Sequence, residues 1–122
     1  MPPQHLILTP VVPAGATLDL ALYGAMYRAL GLVDGQQIFR VDFQPTYAAE
    51  FDRVVAAAVR GEDASMNAPA SRGGLSSAGG VLTIHGEQPG TPPVRADWTL
   101  GPDAAAALQA WVQGWRSGGP TP

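Results

Sequence analysis

Two short stretches of this chain follow one pattern. They read Phe39-Arg40-Val41-Asp42-Phe43-Gln44 and Val94-Arg95-Ala96-Asp97-Trp98-Thr99. Each orders a hydrophobic residue, Arg, a small apolar residue, Asp, an aromatic and a polar residue. Each then reaches a proline, Pro45 or Pro102, and an Ala-rich stretch with helical spacing. In a strand, alternation puts the Arg and Asp on one face and the aromatic on the other. The chain is therefore read as containing two similar strand-to-helix units. The gap between Asp and Pro differs in the two, so coincidence and duplication both stay open.

The rest of the chain is read around these units. His5-Leu6-Ile7-Leu8-Thr9 is an apolar run that stops at Pro10, and Val11-Val12 can continue it on a sheet edge. Thr17 is a suitable N-cap, and Leu18, Leu22, Met26 and Leu30 recur at helical spacing before Gly31, which predicts a helix over 17–30. A strand is the rival reading of its first half. Tyr47, Phe51, Val54, Val55 and Ala58 form one stripe of a helix over 46–60, ended by Gly61. Residues 62–80 have no period and almost no bulky side chain, which predicts a long flexible internal loop. Val81–His85 and Val94–Leu100 read as a hairpin, followed by a helix whose stripe is Ala104, Leu108, Trp111, Val112 and Trp115. Residues 117–122 read as a tail.

The expected fold is α+β, a single domain over 1–122. It has a four-stranded mixed or antiparallel sheet with about three helices packed mainly on one face, in the order β-α-β-α-β-β-α. At 122 residues, 46% of them hydrophobic, such a chain can build a core.

Composition narrows the function classes. There is no Cys, which removes disulfides, thiol nucleophiles and Cys-based metal sites. Arg and Lys together number seven, all are Arg, and they are scattered from Arg28 to Arg116; the net charge is −3. That gives no basic stripe for nucleic acid. The absence of Lys and the Ala/Gly/Pro bias fit a high-GC bacterial coding sequence. No apolar run reaches membrane-spanning length, and the start has no positively charged leader, so a soluble cytoplasmic protein without membrane association is expected. No Gly-x-Gly-x-x-Gly, Walker or His-x-His pattern occurs, so neither a cofactor nor a metal is expected.

One constellation could carry chemistry. With the hairpin in register, His85 stands near Arg95 and Asp97, beside Thr83. Arg40 and Asp42 join that face if their strand lies in the same sheet. A His fixed by an Asp can act as a general base, and Arg can hold an anion. The plain alternative is a solvent-facing sheet surface with cross-strand ion pairs. Ser71-Arg72-Gly73-Gly74 could cradle a phosphate, or be only a flexible linker. Trp111 and Trp115, one helical turn apart and next to Leu108, could be core, line an apolar ligand cavity, or form a dimer seam.

The leading expectation is a non-enzymatic binding or interaction domain that forms a homodimer. The alternatives are a carrier or sensor of a small apolar, lipid-like ligand with 62–80 as its lid, and a small enzyme using His85 with Asp97 or Asp42.

Overall fold

A computed structural model describes residues 5–23, 26–88, 92, 94–101 and 103–117. The elements run β1 (His5–Leu8), β2 (Pro10–Val12), β3 (Thr17–Tyr23), β4 (Met26–Val33), β5 (Gln36–Phe43), α1 (Ala48–Val59), β6 (Ala64–Ala68), β7 (Gly73–Ala78), β8 (Val81–Gln88), β9 (Val94–Leu100) and α2 (Ala104–Ser117). Short 3-10 turns at Pro45–Tyr47 and Pro69–Ser71 precede α1 and β7.

The fold is α+β, but strands dominate it. They form two antiparallel sheets rather than one, a four-stranded sheet ordered β1-β3-β4-β5 and a five-stranded sheet ordered β2-β9-β8-β7-β6. The N-terminal run enters both: β1 closes one edge of the first sheet and β2 one edge of the second.

The sheets face each other across a shared core. Phe39 of β5 meets Trp98 of β9 at a ring separation of 5.2 Å. Gly31 of β4 makes that approach possible, since a Cβ there would run into the Trp98 ring and lie 2.8 Å from Phe39 Cβ. Helix α1 enters the same core, with Phe51 stacked on Tyr27 at 4.4 Å and tilted against Phe43 at 5.4 Å. Helix α2 packs against α1, β1 and β8. Burying a ring such as Phe51 stabilises the fold by about 1.5–3 kcal/mol before ordering entropy is counted.

Both strand-to-helix units form. β5 leads through a proline turn into α1, and β9 leads into α2. Phe43 and Trp98 point inward and are buried. The α1 stripe also packs as its spacing predicts: Phe51, Val54, Val55 and Ala58 are all buried.

Two expectations are corrected. The helix over 17–30 is instead the hairpin β3–β4, so there are two α-helices among the described residues, not three. Leu18, Leu20 and Leu22 also satisfy a period of two, and so do Tyr27, Ala29 and Gly31. Partners on both sides, β1 and β5, decide between the periods. The loop expected over 62–80 is largely the hairpin β6–β7, with Leu75 opposite Met66 on one side and Ile84 on the other. At Gly73 and Gly74 the residues are small because neighbours lie close. A Cβ at Gly73 would stand 2.6 Å from the His85 carbonyl oxygen and from Val41 Cγ2. The start of β7 therefore has no room for bulk, which weakens the apolar pattern that announces a strand.

Candidate functional site

The antiparallel register of the second sheet sets one row across its outer face. Asn67 of β6 lies opposite Gly74 of β7, Gly74 opposite His85 of β8, and His85 opposite Asp97 of β9. The His85 ring lies across Gly74: a Cβ there would collide with Cε1 and sit 2.7 Å from Nε2. Glycine at 74 is thus what lets the imidazole lie down on the sheet.

The neighbours anticipated for His85 are present, but the proton relay is not formed. Asp97 accepts a hydrogen bond from Arg95 Nε at 2.8 Å. His85 Nδ1 is buried and has no hydrogen-bond partner. Burial lowers the His85 pKa below its ordinary value, the Arg95 charge lowers it further, and Asp97 opposes both. The ring is therefore neutral at pH 7. Thr83 shares this face and pairs with Thr99, their hydroxyl oxygens 3.3 Å apart.

His85 opens onto a recess of about 320 Å³ that also contains Asn67, Arg72, Glu87 and Arg95. Arg72 reaches it from the end of the 3-10 turn at Pro69–Ser71. Its backbone is left-handed, at φ 55° and ψ 42°. Two hydrogen bonds hold it there: its N–H donates to Pro69 O at 3.1 Å, and its carbonyl accepts from the Glu87 N–H at 2.9 Å.

Arg40 and Asp42 do not join this face, because β5 belongs to the other sheet. On the outside of that sheet Asp42 accepts from Arg28 Nε at 2.8 Å and from Arg40 Nε at 2.9 Å. Partial burial alone would raise the Asp42 pKa. The hydrogen bonds and charges of Arg28 and Arg40 outweigh it and hold the carboxyl below its ordinary value.

Arg40 and Asp42 border a second, larger recess of about 750 Å³, which runs between β5, the stretch 70–72 and the end of β8. Gln88 forms part of its floor and covers the outer edge of β5. The Arg40 N–H donates to Gln88 Oε1 at 3.0 Å, and Gln88 Nε2 donates to the Arg40 carbonyl at 3.3 Å. One side-chain amide thus replaces a neighbouring strand at that position. Just beyond, the Gln44 N–H donates to Ser71 Oγ at 3.1 Å.

The two recesses adjoin at Arg72 and Glu87, which line both. Arg28, Arg40, Arg53, Arg60 and Arg95 each have a carboxylate within 2.9 Å. Arg72 has none among the described residues, and neither does Glu87 have a cation. The join is therefore flanked by one unpaired charge of each sign.

Sequence reasoning put His85, Arg95 and Asp97 together correctly and singled out Arg72. It missed Asn67, Glu87 and Gln88, which arrive only through the β6–β7 hairpin and the last turn of β8. The remaining candidates lie elsewhere. Leu108 and Trp111 are buried in the core. The side chain of Trp115, on which the expected dimer seam depends, is outside the described residues, as is the tail 118–122. The recess between the helices, about 250 Å³, is bounded by Asp52, Val55, Ala56, Gln109, Val112 and Gln113 rather than by Trp111. Among the described residues no group of three or more His, Asp or Glu could hold a metal ion, and no helix is long and apolar enough to cross a membrane.

No family model matches this chain, and no curated protein or solved structure does either. The functional reading therefore rests on the site itself.

Proposed function

We propose that this is a non-enzymatic binding domain whose binding surface is the trough made by the two adjoining recesses, one between β5 and the end of β8 and one on the outer face of the second sheet. The observation that carries this reading is the pair of unpaired charges, Arg72 and Glu87, at the point where the two recesses join. Both side chains are exposed, so a ligand can supply the partner that the fold leaves out.

The enzyme reading has less support. Asp97, which would orient a catalytic His85, is bonded to Arg95 instead. A lowered His85 pKa leaves a neutral ring, suited to hydrogen bonding, and the Thr83 hydroxyl on the same face pairs with Thr99 rather than with the ring. The apolar-carrier reading has less support too. The larger recess mixes charged side chains such as Arg40, Asp42, Arg72 and Glu87 with its apolar ones, and the residues that would serve as a lid mostly form β6 and β7.

Amide chemical-shift mapping with a library of small polar and apolar fragments tests the proposal. Hits are expected to move the amides of residues 70–73 and 85–88. Fragments that instead gather at Val55, Ala56 and Val112 would shift the assignment to the groove between the helices.

A further inference from the structure

The charges around the trough specify more than polarity. Arg95 is paired with Asp97 on one side of the join, and Arg40 with Asp42, which Arg28 shares, on the other. That leaves Arg72 and Glu87, with no ion pair between them although both line the same two recesses. A simple anion would satisfy Arg72 but meet the carboxylate of Glu87. A simple cation would satisfy Glu87 but meet Arg72. A ligand carrying both charges meets neither objection. Resting on the binding-domain reading above, we propose that the trough binds a small zwitterion of the α-amino-acid type. Its carboxylate lies on the Arg72 guanidinium and its ammonium on Glu87.

Further features fit this ligand. The guanidinium presents paired N–H donors that match a carboxylate. Asn67 and a neutral His85 add hydrogen-bonding groups to the smaller recess without adding charge. Its volume of about 320 Å³ admits a compact ligand. The larger recess, with Ile38 half exposed at 52%, leaves room and apolar contact for a side chain. The Arg72 backbone adds an independent argument. A left-handed conformation is open to Gly at no steric cost and is rare for other residues. Arg72 holds this conformation while lining both recesses.

The test titrates the intact protein with glycine, acetate and ethylammonium, following the amide signals of Gly73 and Glu87. Glycine is expected to bind at least about tenfold more tightly than either single-charge probe, as two charge-assisted contacts act together. Glu87→Gln is expected to bring glycine down to the level of acetate. Arg72→Gly keeps the left-handed backbone and is expected to leave the melting temperature unchanged or raised while abolishing glycine and acetate binding. Acetate binding as tightly as glycine would overturn the zwitterion and leave the binding trough standing. A preference for glycine that survives Glu87→Gln would do the same. Failure of all three probes, and of every fragment, to move these amides would overturn the trough as well.

Discussion

β5 and β9 carry the same six-residue pattern and end in different company. In both strands the Arg reaches the Asp two residues on, at 2.9 Å in β5 and 2.8 Å in β9, and in both the aromatic is buried. β9 is flanked on both sides, by β2 and β8, and its Asp97 serves a single Arg. β5 is an edge strand covered by the Gln88 amide, and its Asp42 serves Arg28 as well as Arg40. The pattern sets the local geometry, and the neighbours set the chemistry. The same motif yields a carboxylate held by two arginines in one sheet and a neighbour of the neutral His85 in the other.

The inner faces should be equivalent, which gives the largest effects. Trp98→Ala and Phe43→Ala are each expected to destabilise the fold by about 3–5 kcal/mol in urea denaturation, because both rings are buried in one core. A loss under about 1 kcal/mol at either site would mean that the two strands do not face the same core.

The outer faces should differ. Asp42→Asn removes the carboxylate charge that Arg28 and Arg40 share and is expected to cost about 1–2 kcal/mol. Asp97→Asn breaks one exposed pair and is expected to stay within about 0.5 kcal/mol. Equal losses would erase the contrast. The pH profile sharpens it. The folded-state pKa of Asp42 is lowered from 3.8, so its stabilisation is complete above that value and is lost as pH falls through the folded pKa. Asp42→Asn should flatten this acid limb of the stability curve.

Gln88→Ala removes the cover from the β5 edge and has no counterpart in β9. A loss of about 1 kcal/mol is expected, together with concentration-dependent self-association seen by sedimentation, since a bare edge recruits another strand. A variant as stable and as monodisperse as the parent protein would show that the edge does not depend on this amide.

The smallest effect concerns His85. Its folded pKa lies below 6.5, so the unfolded chain takes up a proton first. Stability should therefore decline as pH falls from about 6.5 toward the folded value, and His85→Gln should remove that slope. An unchanged slope in the variant would place the titration elsewhere.

Where side-chain bulk marks the pattern, the fold was legible in the sequence. β5, β8, β9, α1 and α2 all announce themselves through alternation or through a stripe of large apolar residues. The 17–33 region was misread because Leu18, Leu22, Met26 and Leu30 fit a helical spacing while Leu18, Leu20 and Leu22 fit a strand. Only pairing with β1 and β5, which is non-local, separates the two. The 64–78 region was misread for the opposite reason. Gly73 and Gly74 are small because His85 and Val41 press against them, so the tightest packing left the weakest apolar signal. That error hid half of the site. His85 could be placed beside Arg95 and Asp97 from the hairpin alone, but Arg72, Asn67 and Glu87 meet only once β6 and β7 are strands.

β7 is the strand that carries the chain from Arg72 to the floor beneath His85. Amide hydrogen exchange over residues 73–78 tests that placement most directly. As a central strand paired with both β6 and β8, β7 should have amides that exchange as slowly as those of β8. Exchange of these amides at the rate of an unstructured chain would contradict the account, because Arg72 would then have no fixed place beside His85.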